Sequence, residues 1–155
     1  MKTSGFTLLE VLIVIAIIGL LAALGIPGYL GWIASTETQR DAQALVREIQ
    51  QARTLAKRGT AQRLTTTANS KTITVTPVEF VSSAWAAVSG ATVRTVNLEG
   101  SSVGAARTLV FTPPYGTMDT TVSTTPQTFT LTSTRRSTKT RTVDVISIMG
   151  KAVIR

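Results

Sequence analysis

The sequence contains no histidine and no cysteine. The first absence removes the commonest general base and the commonest metal ligand. The second removes any disulfide framework and any thiolate chemistry. Acids are scarce as well: 8 Asp and Glu stand against 16 Lys and Arg, a formal net charge of +8. After residue 60 the acids are Glu79, Glu99, Asp119 and Asp144, at spacings that place no two together. There is no set of zinc ligands, no nucleophile with a His partner and no glycine-rich phosphate loop. The expectation is a chain that is not an enzyme and holds no cofactor and no metal.

Charge is missing altogether from one long stretch. From Val11 to Thr36, 26 consecutive residues carry none. A helix of that length, at about 1.5 Å per residue, covers roughly 39 Å against a hydrocarbon core of about 30 Å. A secretory signal peptide has an apolar core of only about 7–15 residues, so the run is too long for one. A plain signal anchor fits the hydropathy. Counting charges does not orient the span, because Lys2 precedes it, Arg40 and Arg47 follow it, and long flanking domains cross regardless of charge. Glu10 stands at the start of the run, where an ionised carboxylate in hydrocarbon is costly.

Beyond Ser35 the pattern becomes amphipathic. Ala42, Leu45, Val46, Ile49, Ala52, Leu55 and Ala56 follow the spacing of one buried helical face. Arg40, Asp41, Arg47, Glu48, Arg53 and Lys57 fall off that stripe, and Gly59 is a natural stop. One helix from about Thr7 to Arg58 is expected, with a break or kink at Pro27 between Gly25 and Gly28.

Between Thr60 and Thr142 there are 23 threonines, β-branched residues that favour strands. Short alternating runs read as seven or so strands. "QRLTTT" and "KTITVT" form a hairpin through Ala68–Asn69–Ser70. "VEFVSSAW" starts anew after Pro77, "TVRTVNL" runs to Glu99–Gly100, and "RTLVF" stops before Pro113–Pro114. "YGTM" reads as loop, "QTFTLTST" and "TRTVDVISI" flank "RRSTK", and "KAVIR" closes the chain. The fold class is α+β: one long helix and an antiparallel sheet.

The stretch "GFTLLEVLIVIAIIGLLAALGIPGY" resembles the class III signal of type IV pilins and type II secretion pseudopilins. The resemblance implies that a prepilin peptidase and N-methyltransferase cuts after Gly5 and methylates Phe6. It implies that Glu10 is the family's assembly carboxylate, pairing with the α-amino group at Phe6 of its own or a neighbouring subunit, and that Pro27 is its helix-breaking proline. A Glu10 that merely snorkels to the interface is the alternative. "ALVREIQQARTLAKRGTAQRLTTT" and "VDVISIMGKAVIR" are similar to the two ends of the GspH/FimT-type minor subunit head. That family implies a type IV pilin-like fold. Residues 1–5 are then the leader, 6–34 the transmembrane and filament-core helix, 35–59 the amphipathic half of that helix and 60–155 the β-rich head. The implied partners are other pilins or pseudopilins in a filament, the peptidase and an inner-membrane assembly platform. The implied location is the bacterial inner membrane, single-pass with the head outside the cytoplasm, and then the pilus or pseudopilus. Type II secretion and type IV pilus both remain open.

One cluster points elsewhere. Arg135, Arg136, Lys139, Arg141, Lys151 and Arg155 stand within the last stretch of chain beside a single acid. Basic clusters bind nucleic acid through phosphates. Some FimT-type minor pilins act in DNA uptake through a C-terminal Gly–Arg–x–Arg element. Here Gly150 is followed by Lys151 where the first Arg would stand and by Val153 where the second would, with Arg155 two residues later. DNA is therefore a candidate partner. A solvated edge and attraction to anionic lipid headgroups are the alternatives.

Overall fold

In a computed structural model, residues 7–155 are described. The expected processing site at Gly5 and Phe6 lies outside the described residues. The chain divides into two compact units, with the boundary between Ile33 and Ala34.

Helix α1, Leu8–Ala56, runs uninterrupted through Pro27. Up to Leu30 it is exposed on every side. Its most apolar window has a mean hydropathy of 2.8, so by length and composition it can cross a membrane. Leu, Ile and Ala dominate this part, giving good helix propensity and no competing side-chain hydrogen bonds.

The second unit, 34–155, holds the later part of α1 and ten strands in two antiparallel sheets. The strands are β1 (Ala61–Thr66), β2 (Thr72–Val81), β3 (Ala84–Ala87), β4 (Arg94–Asn97), β5 (Ser101–Val103), β6 (Arg107–Thr112), β7 (Thr117–Met118), β8 (Gln127–Ser133), β9 (Thr140–Val145) and β10 (Ala152–Ile154). The larger sheet has the order β3–β2–β1–β6–β7, with β4 beside β3 on the same edge of β2; the smaller is β10–β9–β8–β5. A single bridge, Ser70 to Val103, joins them.

The helical stripe of Ala42, Leu45, Ile49, Ala52 and Ala56 is fully buried against both sheets. From the larger sheet it meets Leu64, Ile73, Val75, Leu109 and Phe111; from the smaller, Phe129, Leu131, Val143 and Val145. Strand alternation sends Ala61, Val78 and Val110 to the opposite face of the larger sheet, where Trp85 packs on them.

Several expectations change. Asp41 and Glu48, read as lying off the buried stripe, are 5% and 9% exposed because the turn and strand between β3 and β5 cover that side of the helix. Leu55 is only half-buried. Pro77 does not start a new strand but lies inside β2, opposite Gln62. The "VEFVSSAW" run is instead a hairpin that turns at Ser82 and Ser83, both at positive φ (50° and 69°). Thr117–Met118, read as loop, pairs with β6, and Ser101–Val103 forms a strand where none was expected. One sheet becomes two because the head must cover a helix from more than one side.

The strand register sorts the connections between two ends of the unit. The turns at 67–71, 98–101 and 104–106 and the β8–β9 loop lie beside the helix near Ala34. The turns at 82–83, 113–116 and 146–151 lie near Ala56.

Candidate functional site

At the start of α1, Thr7 Oγ1 accepts the backbone N–H of Glu10 at 3.3 Å. Thr7 is thus the N-cap and Glu10 the third helical residue, the Thr-x-x-Glu pattern of a capping box. That signal was legible in the sequence beside the apolar run. A carboxylate in the first turn also suits the positive end of the helix dipole. Pro27 lies well inside the helix, in the part exposed on every side.

The six cations singled out by sequence do not form one surface. Arg135, Arg136, Lys139 and Arg141 lie on or beside the β8–β9 loop, at the Ala34 end. Lys151 lies in the β9–β10 turn at the Ala56 end, where Ile146 N–H donates to its carbonyl at 2.9 Å. Arg155 lies beyond β10 and places its Nε 3.4 Å from Asp144. Arg135 is also engaged: its Nε–H is shared between the two carboxylate oxygens of Glu37, at 2.8 and 3.1 Å. Arg141 donates to Gln39 Oε1 at 3.1 Å. Arg136 and Lys139 are exposed, and no ion pair involves them among the described residues.

Two helix carboxylates do work that the sequence did not reveal. Asp41 accepts from Glu99 N–H (3.2 Å), Gly100 N–H (3.0 Å) and the Ser101 hydroxyl (2.6 Å). Glu48 pairs with Arg94 of β4. Gly100 is required there, since a Cβ at that position would overlap Cβ of Glu37. No local pattern announces these pairs, because each joins the helix to residues far along the chain.

On the outer face of the larger sheet, Phe80 and Trp85 meet edge to face with centroids 5.1 Å apart. They border a groove of about 450 Å³ that Gly59, Thr60, Val88 and Pro113 complete. Trp85 donates its indole N–H to Asp119 at 2.6 Å. Burial alone would raise the Asp119 pKa, but the hydroxyl and backbone N–H of Thr121, with the Trp85 indole, hold it below the usual value. Among the described residues no cluster of three His, Cys, Asp or Glu could hold a metal ion.

Residues 1–26 match the prokaryotic N-terminal methylation motif. Over 37 residues, 24% of this chain, the sequence is 54% identical to fimbrial protein Q of Moraxella bovis and 56% identical to the type IV major alpha-pilin of the same organism. It is 54% identical over 37 residues to the type IV major fimbrial protein FimA of Dichelobacter nodosus. The matched segment spans about a quarter of the length of these relatives (24%, 23% and 24%). No solved structure matches. Over its N-terminal quarter the chain is homologous to type IV pilins and carries the N-terminal methylation motif, and its one long apolar helix, packed in its later part on antiparallel sheets, matches the α+β fold of that family.

Proposed function

We propose that this chain is a minor pilin or pseudopilin of the GspH/FimT type, a structural subunit rather than a catalyst. A prepilin peptidase frees and methylates Phe6, the charge-free helix holds the subunit in the inner membrane with its head outside the cytoplasm, and an assembly platform moves it into a filament beside other pilins. The observation that carries this reading is continuity. The methylation motif runs directly into a helix apolar on all sides, and the same helix then becomes the packed spine of a head. Glu10 offsets the cost of its charge by pairing with a subunit's terminal ammonium, and so favours assembly and sets axial register.

The machine served is a type II secretion pseudopilus or a type IV pilus. DNA uptake would need the C-terminal cations to act with the β8–β9 loop. Lys151 stands at the opposite end of the head from that loop, and Arg155, whose backbone pairs with Thr142, is engaged by Asp144, so the assembly role is the one proposed. Two measurements test it. Mass spectrometry of protein from its native membrane is expected to find N-methyl-Phe6 as the terminus; an intact Met1 overturns the processing. Glu10→Ala is expected to stay out of filaments while its head keeps a native near-UV spectrum; normal incorporation overturns the assembly role.

A further inference from the structure

The Ala34 end of the head carries a surplus of exposed cations at the point where the charge-free run stops. That run ends at Thr36, and the first charge after it, Glu37, is the residue Arg135 engages. Arg141 reaches Gln39, two residues on. The β8–β9 loop is thereby tied to the first polar turn of the helix. The loop is also held from within. Thr134 N–H donates to Gly100 carbonyl at 2.9 Å, Lys139 N–H to Arg136 carbonyl at 2.9 Å, and Ser133 Oγ accepts Arg135 and Arg136 N–H, each at 3.3 Å. Arg136 and Lys139 are thus presented on a braced turn.

The surrounding charges reinforce this. Arg40, Lys71 and Arg107 are exposed at the same end. Of the acids there, Glu37 is occupied by Arg135 and Asp41 is buried under backbone donors, which leaves Glu99 exposed. Tyr29 and Trp32 stack, 6.2 Å between centroids, in the last turns of the charge-free run. Such amphipathic rings concentrate at the membrane–water interface.

We propose that Arg136 and Lys139 bind the phosphates of anionic lipids while α1 resides in the membrane, so that the β8–β9 loop seats the head on the bilayer. This rests on the membrane role assigned above. Lipid is favoured over DNA because these cations border the stretch of helix that leaves the apolar run. A bilayer that holds the apolar run supplies phosphates without a separate capture step. An anionic surface attracts each nearby Lys or Arg enough to shift such an equilibrium about fivefold.

The test uses the full chain, whose lack of cysteine allows a single fluorophore at Ser137→Cys, between the two cations, or at Tyr115→Cys, exposed at the other end. The protein is reconstituted in vesicles of phosphatidylcholine alone or in an equal mixture with phosphatidylglycerol, each doped with a headgroup-nitroxide lipid. Quenching at Ser137→Cys is expected to be several-fold stronger in the mixed vesicles and to fall with salt. The ratio of bound to free loop should drop about fivefold for each of Arg136→Ser and Lys139→Ser. Tyr115→Cys should not respond. Equal quenching in both lipids, or equal response of the two labels, overturns the proposal. So does duplex DNA that shifts the Ser137→Cys label on phosphatidylcholine vesicles at a lower phosphate concentration than phosphatidylglycerol requires. Failure of the chain to float with vesicles of either composition overturns the membrane role itself, and is separable from loss of the lipid preference.

Discussion

Asp41 on the helix accepts the hydroxyl of Ser101 at 2.6 Å, across 60 positions of sequence, in a site from which solvent is nearly excluded. Two backbone N–H groups of the β4–β5 turn complete the shell of this carboxylate. The pair pins the helix to the turn that begins the second sheet. A buried charge is tolerated there because donors replace its water.

Removing that acceptor leaves the Gly100 N–H and Ser101 Oγ–H without partners. Asp41→Ala is expected to lower unfolding free energy by about 3 kcal/mol, from a lost charged hydrogen-bond set and newly unsatisfied donors. Urea unfolding of the full chain in mild detergent, followed by Trp85 fluorescence in a Trp32→Phe background, measures it. A change under about 0.5 kcal/mol, the level of an ordinary surface substitution, would refute the role.

Leu45 and Leu55 both belong to the stripe read from the sequence, yet only Leu45 is fully buried. Leu45→Ala should cost about 3 kcal/mol, within the usual span for a buried leucine. Leu55→Ala should cost about 1 kcal/mol, since less apolar area leaves water on folding there. The same unfolding assay compares them, and equal losses would contradict the packing described.

Gly150 holds φ at 69°, and a Cβ there would stand 2.8 Å from Cε1 of Phe111. Backbone strain and overlap act together, so Gly150→Ala should destabilise the head by about 2 kcal/mol. Gly104→Ala, whose added methyl would meet its nearest neighbour at an ordinary 3.5 Å, is the comparison and should stay within about 0.5 kcal/mol. Melting temperatures of the two variants in one detergent settle the order.

Asp119 has a folded-state pKa below its ordinary value, so its carboxylate binds protons less readily in the folded chain than in the unfolded one. Its contribution is present in full above the unfolded value near about 4 and is lost as pH falls through the lower folded value. Trp85 emission in the Trp32→Phe background should therefore titrate with a midpoint below about 4. Asp119→Asn should abolish that titration. A midpoint above 4 in the parent would show that the Thr121 and Trp85 donors do not outweigh burial.

Much of the architecture can be read without coordinates because its signals are local. A charge-free run of 26 residues, a helical stripe from Ala42 to Ala56 and alternating threonine-rich strands each follow from one periodicity. The hairpin at Asn69, with φ of 58°, was legible for the same reason. Pro77 misled because proline suggests an interruption; here it occupies a ladder position inside β2 where the strand continues. The two-residue β7 was too short for any pattern to show.

The sequence by itself determined that this chain has an apolar helix of membrane length, a methylation motif at its start and a β-rich remainder, because hydropathy and motif spacing are properties of neighbouring residues. Only the tertiary structure decided that Asp41 and Glu48 are interior anchors, that the strands divide into two sheets and that the six late cations are split between the ends of the head. Each of those depends on which distant strand covers which side of the helix. The charge of Arg136 is written in the sequence, but its place beside the first polar turn of α1 comes from strand register and from the Arg135–Glu37 contact.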